Sequence, residues 1–368
     1  MQAQSEMKKP RDKYIDFIKG IAVLNIVVIH TTFWSGEGYV PNWVKSLSLL
    51  VDMPLFFLMS GWGAGMSREM GDIIKVSKRL ATGIFGKSIY CIAFFAIVSA
   101  AIGTPRITSW QSLLSTCSLA FKFNGNDVLN GSCWFFAYYL RAVFLNQLAI
   151  AVLKPYATGK GYSEVTQLKC LLGINLGLFL MSCSSVSYLP IYLSSTDFLL
   201  NAMWLLGAIA VKAKLEIRNF KSWLASILVS LVGFYITARL AKADVAVVQN
   251  MKFATAPENM IPYFFFSLVS VFTTLYLRTK TKMNKMLITK AVAHVGKNAI
   301  FFFFAQGVSS LYIYNFLSWP MPNWWTRLLV MVLMNICISM LVAESMVWSE
   351  KLFVKAIQKI RIRVRAVK

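Results

Sequence analysis

The feature that most constrains this chain is a tenfold recurrence of long apolar stretches, each separated from the next by a short polar or basic connection. The stretches lie near 14–33, 42–66, 80–103, 133–153, 168–186, 195–212, 221–240, 260–278, 294–315 and 324–346. About 20 apolar residues in helical geometry match the hydrocarbon thickness of a bilayer. Backbone amides in lipid must be satisfied within their own segment, so such stretches fold as helices. The expected fold is all-α, a polytopic membrane protein with about ten transmembrane helices. Composition excludes the alternative: 57% of residues are hydrophobic and only 14% are charged, whereas a soluble chain carries about a quarter charged residues. Segment 106–130 sets Trp110, Leu113, Leu114, Leu119 and Phe121 among Ser, Lys and Asn, the pattern of an interfacial helix.

The formal net charge of +23 suggests a nucleic-acid binder at first sight. The cations do not gather on one region, however; they cluster in alternate connections. With the N-terminus cytoplasmic, segments 1–13, 67–79, 154–169, 212–221, 278–297 and 344–368 hold 28 Lys and Arg, and the opposite connections hold 4, Arg106, Lys122, Lys242 and Lys252. The positive-inside rule accounts for that asymmetry, places both termini in the cytoplasm and leaves no role for nucleic acid. The chain then divides into a basic N-terminus (1–13), a membrane domain (14–346) and a basic tail (347–368), which is expected to lie on anionic lipid headgroups. No small-residue cleavage site follows the first stretch, which reads as a retained span. Six cysteines form no CxxC pair, and two histidines with no clustered ligands give no metal site. Cys117 and Cys133 could face an oxidising compartment.

Charged residues inside a span are costly and point to function. The first span carries Asp16, Lys19 and His30, which fall within roughly 60° of one another at about 100° per residue. Lys19 and His30 are about 16 Å apart along the axis. Asn25 points the other way, as a helix-packing contact. His30 is either an interfacial histidine or a general base, the side chain best suited to take a proton from a hydroxyl near neutral pH. Lys19 either snorkels to the headgroups or binds an anion. Arg141 lies deep in the fourth span and needs a polar cavity or an acid. Asp52 is a candidate partner for some such cation. Asp197, Arg239 and Glu344 sit near span ends, and His294 lies in a basic segment, where a surface position is expected. No nucleophile elbow, phosphate-binding loop or HExxH pattern is present.

The stretch YIDFIKGIAVLNIVVIH, Tyr14 to His30, resembles the opening of acyltransferase family 3, membrane proteins that O-acylate bacterial surface glycans. Asp16 and His30 match its signature, and Lys19 stands where arginine is usual, which keeps the charge but loses the bidentate fork. MPLFFLMSGWG (Met53 to Gly63) is similar to the second-span motif, closest to the fucose 4-O-acetylase-like branch. WFFAYYL (Trp134 to Leu140) resembles the Trp-Phe-Leu motif. KFATAPENMIPYFFFSL (Lys252 to Leu268) resembles the Lys-x-Pro-Pro stretch with one proline replaced. VGKNAIFFFFAQ (Val295 to Gln306) resembles the late Gly-Lys-Asn segment, with Gln306 where a second histidine is usual. The arginine pair that follows the second span in the family is matched only loosely, by Arg68, Lys75, Lys78 and Arg79.

The resemblance implies an O-acetyltransferase of the bacterial cytoplasmic membrane. It would move an acetyl group from cytoplasmic acetyl-CoA, its donor and not a resident cofactor, to a sugar hydroxyl of a polysaccharide or lipid-linked glycan. His30 would be the base, with Asp16 setting Lys19. Lys19, Arg68, Lys78 and Arg79 would draw in the phosphates of coenzyme A, and Trp134, Trp62 and Arg141 would meet the acceptor. The alternative is a non-enzymatic exporter of glycans or lipid-linked sugars, which has no use for a thioester. The oligomeric state is not legible in the sequence.

Overall fold

The computed structural model describes residues 12–35, 38–101, 127–184, 193–252, 257–281, 287–313 and 321–367, and all regular structure among them is helical. The helices are α1 (Lys13–Trp34), α2 (Asn42–Ser48), α3 (Met53–Met66), α4 (Ile73–Leu80), α5 (Gly86–Ala101), α6 (Asp127–Gly159), α7 (Glu164–Cys183), α8 (Ser195–Lys212), α9 (Phe220–Leu240), α10 (Val248–Lys252), α11 (Met260–Lys280), α12 (Leu287–Lys297), α13 (Ala299–Ile313) and α14 (Trp324–Val367). Among the described residues eight helical segments are long and apolar enough to cross a bilayer, and the bent pair α12–α13 makes a ninth. The tenth expected stretch, 195–212, is α8. Its Ser195, Thr196, Asp197, Asn201 and Lys212 dilute its apolarity, yet it is the helix most enclosed by its neighbours, packing on α3, α6, α7 and α11. The interfacial helix expected at 106–130 falls largely outside the described residues, as does Cys117.

Local chemistry explains where the helices start and break. Asp12 caps α1 by accepting from the Tyr14 amide at 2.9 Å. Asp72 does the same for α4 through Lys75, so the third span begins at Ile73, well before residue 80. A π-turn, Ala81–Phe85, joins α4 to α5. Asn25 donates to the Ser48 and Val51 carbonyls, both at 2.6 Å, and so holds the break between α2 and α3 against α1, the packing role expected for it. The ninth stretch is not straight: α12 and α13 meet at 80°. Asn298 makes that corner, its amide nitrogen donating to the carbonyls of His294 and Val295 while its own carbonyl accepts from Phe301. The last span and the basic tail are one helix of 44 residues, because no Gly or Pro interrupts 324–367.

Two helix pairs touch backbone to backbone. A Cβ at Gly61 would fall on the Trp204 carbonyl, and one at Gly207 on the Leu58 carbonyl, so α3 and α8 pack through glycines. Likewise a Cβ at Gly20 would meet the Val292 carbonyl, and one at Gly296 the Asp16 carbonyl, which fixes α12 against α1. Gly296→Val is therefore expected to lower the melting temperature strongly, at a cost of about 3 kcal/mol or more from overpacking. Gly63→Val, where nothing lies within 4 Å, is the comparison; equal melting of the two variants would refute the close contact.

Candidate active site

The α1–α12 contact builds one end of the site. It brings Lys19 beside Lys297, and the π-turn at the start of α5 adds Lys87; π-turns recur at functional sites. The three lysines line a cavity of about 270 Å³ whose other walls are aromatic and small: Phe56, Phe135, Tyr139, Phe303 and Gly83 among them. Ser60 donates to the Tyr139 hydroxyl at 3.1 Å on that wall. Lys87 also lies over the Phe301 ring and reaches Glu350 at 3.9 Å. Three lysines around a cavity with aromatic walls suit a phosphate-bearing ligand with a slender apolar extension.

His30 sits at the other end of α1. Its ring stacks on Trp34 at 4.0 Å between centroids, and its Nδ1 has no hydrogen-bond partner among the described residues. Gln306 of α13 hydrogen-bonds to the imidazole, and Lys252 and Asp52 act on it electrostatically. Those two charges form an ion pair at 2.5 Å, their side chains 7% and 5% exposed. The Tyr263 hydroxyl donates to the same Asp52 oxygen at 3.1 Å. A buried pair of this kind needs such extra hydrogen bonds to offset the loss of water. The α13 helix connects the two ends: Phe303 lines the lysine cavity, and Gln306, three residues on, meets His30. Beside the site Thr31 accepts from Asn335 at 2.9 Å, tying α1 to α14. Tyr39, beyond α1, accepts or donates at Ser35, and burial pushes its phenol upward.

The remaining candidates separate. Asp16 is buried at the α1–α12 contact. Arg68, Lys78 and Arg79 are exposed and are not among the residues that line the cavity; Arg79 acts electrostatically on one that does, Tyr139. Trp62 is fully enclosed, beneath Arg278 at 4.6 Å and near Tyr14, so it is a packing residue remote from His30. The side chain of Trp134 lies outside the described residues. Arg141 has found an acid: it pairs with Asp197 at 3.0 Å and lies over the Tyr138 ring at 4.7 Å. Asp197 also closes the capping box of α8 with Ser194. His294 bonds to Glu344 at 2.6 Å, both about half exposed, in keeping with a surface position.

Lys87 and Lys297 on the cavity wall, and Lys252 and Gln306 beside His30, are not among the candidates that the sequence singles out. The signals were present: Lys87 is a lone cation inside an apolar stretch, and Lys252 and Gln306 stand inside motifs that were read only for resemblance.

A family model described as an acyltransferase domain matches residues 12–344. Comparison with the curated proteins and with the solved structures finds no match. The match runs from the α1 cap through both ends of the site to α14, and this multi-pass chain belongs to acyltransferase family 3, the membrane acyltransferases.

Proposed function

We propose that the protein is an O-acetyltransferase of the bacterial cytoplasmic membrane, taking its acetyl group from cytoplasmic acetyl-CoA and giving it to a sugar hydroxyl of a surface or lipid-linked glycan. The observation that carries this reading is the pairing of a three-lysine cavity at one end of α1 with a half-buried histidine at the other. The lysine end lies on the side with the excess of basic connections, the cytoplasmic side by the positive-inside rule. Lys19, Lys87 and Lys297 hold the phosphates of coenzyme A. The eleven residues from Lys19 to His30, about 16 Å of helix, are of the order of an extended pantetheine arm. Phe303 and Gln306 flank that line on α13.

His30 takes the proton of the acceptor hydroxyl as its oxygen bonds to the thioester carbon. Collapse of the tetrahedral adduct breaks the carbon–sulfur bond, and the leaving thiolate recovers the proton from the imidazolium. Gln306 and Trp34 hold the ring, and the Asp52–Lys252 pair supplies fixed opposite charges beside it. Purified protein in lipid is expected to bind acetyl-CoA and to release coenzyme A when acceptor is added. A well-folded sample that binds none would favour export of a glycan over acyl transfer. Replacing Lys297 or Lys19 by alanine is expected to raise the Michaelis constant for acetyl-CoA about tenfold with turnover largely kept. One charge-assisted phosphate contact, about 1.5–3 kcal/mol, is lost in each. Loss of folded protein instead would mark the lysine as structural.

A further inference from the structure

A second cavity, of about 430 Å³, lies between α6, α7 and α8, away from the two ends described above. Its wall is mostly leucine, isoleucine, valine and alanine, with no charged residue, yet three asparagines converge on it from three different helices: Asn146, Asn175 and Asn201. Each asparagine is at least nine-tenths buried. Their mutual bonds leave capacity over. Asn146 donates to the Ala142 carbonyl at 2.8 Å and to Asn201 Oδ1 at 3.0 Å, and Asn175 donates to the Phe198 carbonyl at 2.7 Å. No hydrogen bond to Asn146 Oδ1, Asn175 Oδ1 or Asn201 Nδ2 is seen among the described residues.

Unpaired amide atoms inside a membrane domain are costly. Three on one cavity call for a polar occupant. Water alone would satisfy the amides but would face aliphatic side chains over most of the wall. The rim explains what enters. Leu148, Val152 and Ile174 on its wall are exposed, and they belong to helices long and apolar enough to cross a bilayer, so in a membrane the cavity would open toward the lipid. The open oxygens of Asn146 and Asn175 and the open N–H groups of Asn175 and Asn201 call for a ligand whose groups both donate and accept, as hydroxyls do, and the lack of any charged wall residue favours a neutral polar part.

We propose that this cavity is a binding site for a neutral, hydroxyl-bearing lipid of the glycerol type, its hydroxyls among the three asparagines and its chain along Leu148, Val152 and Ile174. The site is independent of the acyl-transfer reading and of His30.

The test uses the purified full chain and two probes with the same chain, 1-monooleoylglycerol and methyl oleate, which lacks hydroxyls. Saturable uptake of about one monooleoylglycerol per protein is expected, at least tenfold tighter than methyl oleate. Asn175→Leu is expected to weaken it tenfold or more. Leu178→Trp, which fills the cavity and leaves the amides intact, is expected to do the same. Melting temperature checks that each variant is folded. Equal, unsaturable uptake of both probes by the wild type would overturn the proposal and leave a groove filled by bulk lipid chains. Unchanged monooleoylglycerol binding in folded Asn175→Leu or Leu178→Trp would overturn it too. Should either variant fail to fold, the comparison of probes on the wild type decides.

Discussion

His30→Ala is expected to reduce acyl transfer by about 10²- to 10⁴-fold, the usual contribution of a positioned general acid–base group, with the membrane domain still folded. The ring lies outside the set of fully buried core side chains, stacks on Trp34, and has an Nδ1 with no hydrogen-bond partner among the described residues. Removing it leaves the Gln306 amide short of one partner, at a stability cost of about 1–3 kcal/mol. Rate and stability therefore separate. The measurement is release of coenzyme A from acetyl-CoA by matched, monodisperse samples, with melting temperature read on the same preparations. A rate near that of wild type in well-folded His30→Ala would remove His30 as the base. His30→Gln keeps a hydrogen-bonding side chain of similar reach but cannot serve as the base. It is expected to be as inactive as the alanine variant while melting closer to wild type.

The second large effect concerns Asp52 and Lys252. Their side chains are almost wholly shielded, at 2.5 Å from one another. Asp52→Leu is expected to destabilise the protein by about 3–5 kcal/mol, because an ammonium is left buried without its counter-charge. Lys252→Met is expected to do the same through the stranded carboxylate, softened by the Tyr263 hydroxyl that remains bonded to it. The double replacement Asp52→Leu with Lys252→Met is expected to recover most of the melting temperature, since an apolar pair of similar volume replaces a costly ionic one. If the pair also sets the field at His30, the double variant will be stable yet slow. Single and double variants that all melt like wild type would show that the pair is solvated, and an additive loss would show that the two residues do not interact.

Much of this protein was legible before its structure. The long apolar stretches fix an all-α membrane fold because a backbone in lipid has only itself to bond to. Asp16, Lys19 and His30 drew notice for the same reason, as polar groups where they are expensive. For Arg141 the sequence offers a polar cavity or an acid, and for Asp52 a cation, since neither charge can stay alone at its depth. It does not identify either partner: Asp197 and Lys252 are 56 and 200 residues away in sequence, and no spacing rule reaches that far.

Differences between the sequence expectation and the structure share one origin. Aromatic residues serve both as sugar platforms and as packing, and Trp62 is enclosed beside Arg278 and Tyr14. The basic residues after the second span look like a phosphate site by proximity in sequence, yet Arg68, Lys78 and Arg79 stay outside, and the cavity draws on Lys87 and Lys297 instead. Gly61 and Gly65, four residues apart in an apolar run, are a sequence signal for close helix approach that escaped notice. Gly296 and Asn298 signalled the corner between α12 and α13 in the same way.

The sequence by itself determined solvent and secondary structure, because each follows from local transfer free energies that sum along the chain. Only the tertiary structure decided which polar groups share a site. That choice rests on glycine contacts that let α1 meet α12 and α3 meet α8, and on a corner at Asn298 that lets one broken span serve both the lysine cavity and His30. Such contacts join residues hundreds of positions apart, and their energies exist only once the helices have packed.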